Sequence, residues 1–150
     1  MDIKALKQFL IKAKKGGYAA GNQIKESDDS YSTRFEEEDF KFHDNWFGGE
    51  PFGGREVVWF KNKPFWMMVY YGEEFAHDEK AIPTLRKALS QMLDDFPARG
   101  PKIFKDGEFT YKNNWIGSIE KFSGEESISK NRKIVYNAKY AGGLVDQYED

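Results

Sequence analysis

The sequence predicts a single α+β domain, with a curved, mostly antiparallel sheet, an N-terminal helix and one longer central helix. Three observations support this. Short runs rich in aromatic and β-branched residues recur between turn residues, two segments repeat apolar residues at helical spacing, and no linker divides the 150 residues. A chain of this length suits one domain spanning 1–150, which buries roughly 70% of its unfolded surface.

The first helix is predicted over residues 2–15. Asp2 can cap it, Ile3, Leu6, Phe9, Leu10 and Ala13 form one stripe, and Gly16-Gly17 ends it. Residues 18–30 are polar and turn-rich, which predicts a loop. Tyr31 to Phe35 and Phe40 to Phe47 read as strands around an acidic turn. Gly48-Gly49-Glu50-Pro51-Phe52-Gly53-Gly54 reads as a bend, since its glycines permit positive φ and its proline lacks a ladder donor.

Arg55 to Phe60 and Phe65 to Tyr71 predict a hairpin joined by Lys61-Asn62-Lys63-Pro64. A four-residue loop pairs Phe60 with Phe65, Val58 with Met67 and Glu56 with Val69. Arg55, Val57, Trp59, Trp66, Met68 and Tyr70 then share the opposite face. Both faces are largely apolar, which predicts cover on both sides. Leu85, Ala88, Leu89, Met92, Leu93 and Phe96 predict a helix over about 79–96, with Pro83 in its first turn and Pro97 and Gly100-Pro101 at its end. Asp106-Gly107 predicts a hairpin turn between Lys102–Lys105 and Glu108–Lys112. Ser118 to Phe122 and Ser127-Ile128 lead through Lys130-Asn131 into Arg132 to Tyr140, a further antiparallel pairing. Gly142-Gly143 and an acidic tail close the chain.

Composition excludes several classes of chemistry. The chain is 39% hydrophobic and 17% aromatic, so a core is affordable despite a charged fraction of 32%. Cysteine is absent, which removes disulfides, thiolate metal sites and a cysteine nucleophile. The N-terminus lacks the unbroken apolar run of a signal peptide, and a cytoplasmic location is expected. The net charge of −2 favours neither nucleic acid nor an anionic membrane. Lysines do interleave with rings between Trp59 and Trp66, but they fall at the hairpin turn, and nearby carboxylates repel phosphate.

His43 and His77 each stand beside an aspartate, and adjacent side chains diverge, so no metal site is expected. No G-x-S-x-G elbow or phosphate-binding loop is present, and no cofactor is expected. What remains is a pocket. Arg55, Trp59, Trp66, Met68 and Tyr70 on one hairpin face would line it, with Asp39 or Glu126 as the anion, and a planar or cationic ligand could stack on the tryptophans. The competing assignment packs those rings under the central helix.

Several motifs carry a family resemblance across most of the chain. They include Phe47-Gly48-Gly49, Phe52-Gly53-Gly54, Glu56-Val57-Val58-Trp59 and Pro64-Phe65-Trp66-Met67-Met68-Val69-Tyr70-Tyr71-Gly72. Arg99-Gly100-Pro101, Gly107-Glu108-Phe109-Thr110-Tyr111, Phe122-Ser123-Gly124-Glu125-Glu126-Ser127-Ile128, Val135-Tyr136 and Tyr140-Ala141-Gly142-Gly143-Leu144 continue them. Together they resemble the bacterial and archaeal family named domain of unknown function 5680. The resemblance implies no activity or catalytic residue. Some relatives carry the domain behind a helix-turn-helix of the XRE type, which implies a sensing or partner-binding role, whereas the single N-terminal helix here cannot make a DNA-reading module.

The expectation is therefore a non-catalytic domain that binds a small ligand or a protein partner. The alternative is a small metal-independent enzyme using carboxylate, arginine and tyrosine groups in an aromatic-lined cleft.

Overall fold

Helix α1 spans Ile3–Gly16, and Asp2 caps it by accepting a hydrogen bond from the Lys4 amide at 3.0 Å. Its buried stripe of Leu6, Phe9, Leu10 and Ala13 also takes in Lys14. The structure, a computed structural model, describes residues 2–17, 21–75 and 80–148. After α1 come β1 (Ile24–Lys25), β2 (Tyr31–Glu37), β3 (Phe40–Phe47), β4 (Phe52–Phe60) and β5 (Lys63–Glu74). Helix α2 (Ala81–Ser90) follows, then β6 (Ile103–Asp106), β7 (Phe109–Ser118), β8 (Lys121–Lys130) and β9 (Lys133–Leu144).

The strands form one open antiparallel sheet of order β1-β2-β3-β4-β5-β9-β8-β7-β6. It consists of two meanders. The chain builds β1 to β5 by successive hairpins, crosses through α2 to the far edge, and returns through β6 to β9 until β9 pairs with β5. Both outer strands are short, which limits the unpaired edge presented to other chains.

Both helices cover the same face. On that inner face α1 packs with Phe42, Val58, Trp66, Met68, Phe96 and Phe122. The stripe of α2, Ala81, Leu85, Ala88 and Leu89, packs with Tyr111, Ile128, Tyr136 and Ala138. The outer face is not covered as the sequence predicts: Val69, Tyr71 and Ile116 are 48%, 64% and 73% exposed. The two helical segments supply only enough apolar surface to close one side.

The predicted hairpin register is also corrected. The β4–β5 turn has two residues, Lys61 and Asn62, both at positive φ as a type I′ turn requires. Phe60 therefore pairs with Lys63 and Trp59 with Pro64, and a bulge at Phe65 sets Val58 opposite Trp66 and Glu56 opposite Met68. Arg55, Val57 and Trp59 consequently lie on the outer face, and Trp66, Met68 and Tyr70 on the inner one.

Other boundaries shift by similar causes. Phe52, Gly53 and Gly54 belong to β4, and Gly142-Gly143 belong to β9. The β6–β7 turn is Gly107-Glu108, with Asp106 paired to Phe109. The pairing of Ser118 with Lys121 makes Ile119-Glu120 a turn inside the predicted Ser118–Phe122 strand, and the β8–β9 turn is Asn131-Arg132. Helix α2 stops at Ser90, and Met92 and Phe96 are buried from the segment beyond it. Among the described residues no helix is long and apolar enough to cross a membrane.

The register has a direct test in stability. Trp66 has no exposed surface, and its indole donates to the Ile119 carbonyl at 2.9 Å. Trp66→Ala is expected to cost about 3–5 kcal/mol in chemical denaturation, whereas Trp59→Ala on the partly exposed outer face costs about 1 kcal/mol. Equal losses would favour the four-residue loop.

Candidate ligand site

Strand alternation places polar residues in two adjacent rows across the inner face. One row runs Thr33, Asp44, Glu56, Met68, and the next runs Tyr31, Trp46, Gly54, Tyr70, Tyr140. Glycine at position 54 is what lets the rows touch. A Cβ there would lie 2.6 Å from the Trp46 Cβ and 2.7 Å from the Tyr70 hydroxyl. Tyr70 leans across this gap and donates to Asp44 Oδ1 at 2.5 Å.

A second set of groups centres on Glu126, which has no exposed surface. Arg99 grips it as a fork, with Nε at 3.1 Å from both carboxylate oxygens and Nη2 bonded to Oε1. The hydroxyls of Tyr111 and Tyr136 donate to it at 2.5 and 2.8 Å. Burial opposes the charge on Arg99, but Glu126 and the tyrosines outweigh burial and raise its pKa well above the ordinary value. Arg99 also lies 5.8 Å from the Tyr70 ring centre.

Helix α1 contributes Lys14, which is 8% exposed. Its ammonium donates to the Ala98 carbonyl, pairs with Glu56 Oε1 at 3.1 Å and lies 5.5 Å from the Trp66 ring centre. Burial lowers the Lys14 pKa, and Glu56 opposes that shift. Asp44 moves the other way. Burial first, and then the neighbouring charge of Glu56, push its pKa up to about 7, against the pull of Tyr70, Arg99 and Lys14. Burial and Asp44 likewise raise the Tyr70 pKa.

Asp44 and Arg99 open into a cavity of about 290 Å³. Tyr31, Trp46, Phe52 and Tyr70 supply aromatic walls from four successive strands, and Leu85, Ile82 and Arg86 line the α2 side. Gly48, Gly49 and Glu50 lie at the exposed rim. A smaller void of about 20 Å³, also bounded by Asp44 and Arg99, lies toward Lys14, Thr33 and Glu56. Glu56 Oε2 and Thr33 Oγ1 are buried there with no hydrogen-bond partner among the described residues. A polar void of this size has room for one water-sized group.

Of the residues singled out in the sequence, Tyr70 lines this cavity and Glu126 holds Arg99 behind it. Trp66 and Met68 are fully buried in the core under α1. Arg55 and Trp59 fall on the outer face because of the corrected register, and Asp39 is exposed in the β2–β3 turn, its carbonyl accepting from the Lys61 amide at 2.9 Å. The structure therefore does not bring these seven side chains together. Sequence reasoning missed Asp44, Trp46, Phe52 and Arg99. One signal was present: Phe42, Asp44 and Trp46 alternate on one face of β3, setting a carboxyl among core positions. His43 points to the outer face, and His77 lies outside the described residues. Among the described residues no three metal-ligating side chains gather.

Fold and site together define a single-domain α+β protein whose buried acid–base cluster opens into an aromatic cavity. A model of the family described as Domain of unknown function (DUF5680) matches residues 44–145, and the chain belongs to that family. The matched span holds Asp44, Glu56, Tyr70, Arg99 and Glu126, whereas Lys14 and Tyr31 precede it. Neither a curated protein nor a solved structure matches the chain.

The Asp44 proton couples the site to stability. Its pKa is raised in the folded state, so its stabilising contribution is complete below about pH 4 and is lost as pH rises through about 7. Relative to Asp44→Asn, the wild type is expected to lose roughly 4 kcal/mol of unfolding free energy between about pH 4 and about pH 8. A pH-independent difference between the two proteins would contradict this environment for Asp44.

Proposed function

We propose that this domain binds a small organic molecule in the cavity above Asp44 and acts as a sensor without catalysis. One observation carries the reading: a buried carboxyl opens into the same space as four aromatic rings. Ligand sites combine apolar walls with a few directed polar groups, and a volume near 300 Å³ is at the small end of their range. The rings bind the body of such a molecule, while Asp44 and Arg99 fix its orientation. A family resemblance that implies relatives fused to XRE-type helix-turn-helix modules suits a sensing role. The setting we infer is the cytoplasm, in keeping with a chain that lacks cysteine.

A second reading has its own observation. Asp44, with a pKa of about 7, receives a phenol hydrogen bond at 2.5 Å inside a cleft. Such a group can take up or release a proton near neutral pH, and perturbed carboxyls concentrate at catalytic sites. This supports a metal-independent acid–base enzyme as the alternative.

A thermal-shift screen of metabolites tests the first reading, using wild type beside Ile82→Trp, which fills the cavity from its α2 side. A ligand at a hundredfold its Kd stabilises by about 2.7 kcal/mol, or roughly 5–10 °C for a domain of this size. Hits are expected with wild type and lost with Ile82→Trp. Shifts that persist in the variant would place binding elsewhere. Mass spectrometry of each hit after incubation separates the readings, because conversion that is lost in Asp44→Asn supports the enzyme.

A further inference from the structure

We propose that the cavity selects a compact organic cation, a protonated primary amine whose ammonium reaches Asp44 while its body lies against the rings. The inference rests on the small-molecule reading above and adds the sign and hydrogen-bonding class of the ligand.

Charge balance supplies the first argument. Three buried carboxyl groups, Asp44, Glu56 and Glu126, share the inner face with two cations, Lys14 and Arg99. Arg99 is committed to Glu126 and Lys14 to Glu56 and the Ala98 carbonyl. Asp44 has the Tyr70 phenol as its hydrogen-bond donor and, among the described residues, no ion pair of its own. Glu50 at the rim and Arg86 on the α2 side carry opposite charges and leave this excess in place. Once Asp44 is ionised, an arriving cation neutralises the surplus, whereas an anion meets it.

Hydrogen-bonding capacity narrows the class. Among the described residues Glu56 Oε2 is buried without a donor, on a residue only 3% exposed, and Thr33 Oγ1 is likewise without a partner. Both adjoin the small void that also touches Asp44 and, on its other sides, Lys14 and Arg99, whose charges are already met by Glu56 and Glu126. Asp44 borders both spaces, so an ammonium bound to it from the cavity brings further N–H donors toward these acceptors, whereas a quaternary nitrogen carries none. The rings add cation–π attraction, which strengthens away from water.

The groups facing Asp44 set the pH dependence. Glu56 from β4 raises its pKa, while Tyr70 from β5, Lys14 from α1 and Arg99 beyond α2 lower it. Below about 7 Asp44 holds a proton that a cation must displace, so cation affinity rises with pH.

The test is calorimetric titration of the whole chain with benzylammonium, benzyl alcohol and benzoate at about pH 6 and about pH 8. These probes share a ring and differ in the charge and donors of the head group. Benzylammonium, protonated at both pH values, is expected to bind best and about tenfold tighter at the higher pH. Asp44→Asn, checked for folding by circular dichroism, is expected to weaken its binding and remove the pH dependence. Stronger binding of benzyl alcohol or benzoate would overturn the cation inference and leave the small-molecule reading standing. So would undiminished benzylammonium binding by folded Asp44→Asn. Binding of none of the three, with no thermal shift, would overturn both.

Discussion

Glu126 has no exposed surface, so its charge must be met by donors inside the protein, and Arg99 meets it as a two-pronged fork. Removing one partner from such a pair leaves a buried charge uncompensated, which is far more costly than the pair is stabilising. The fork therefore fixes the segment after α2 against β8, and much of the inner face follows from that placement. Gly100 donates its amide to the Tyr111 hydroxyl at 3.0 Å, and Asn113 donates to the Gly100 carbonyl at 2.9 Å. The adjacent Ala98 carbonyl receives Lys14, so the same segment holds the end of α1 in contact with Glu56.

This arrangement leaves Asp44 in an unequal position. Its neighbours satisfy one another first: Arg99 with Glu126, Lys14 with Glu56. The hydrogen bond from Tyr70 stabilises the ionised form but does not outweigh burial and the adjacent Glu56. A fully enclosed carboxyl in that setting would be a liability with no return. Here it faces a cavity whose other walls are rings, so the imbalance becomes available to a bound molecule. Gly54 permits this geometry, since any larger residue would push Trp46 and Tyr70 apart.

Element order, helix positions and the antiparallel character of the sheet were legible from local signals. Apolar spacing marked α1 and α2, and glycine, asparagine and lysine marked most turns. The site was less legible because it depends on parity. Whether Trp59 or Trp66 faces inward turns on whether the β4–β5 turn has two residues or four, and Lys61-Asn62-Lys63-Pro64 suits either reading until Lys61 and Asn62 are seen at positive φ. The bend expected over residues 48–54 is confined to Gly48–Pro51, and Gly53-Gly54 are notches within β4 that admit a neighbouring ring. Arg99 carried a local signal only for a turn, as part of Arg99-Gly100-Pro101. Its partner is twenty-seven positions away in sequence, and no spacing rule connects the two.

The central claim is that a buried, unbalanced carboxyl defines the site, and the titration of Asp44 tests it most directly. Side-chain carboxyl carbon shifts, assigned by comparison with Asp44→Asn, follow that proton without reference to stability or ligand. A midpoint near pH 7 agrees with the account. A midpoint near 4, the ordinary aspartate value, would contradict it by showing that water or a donor already compensates the charge.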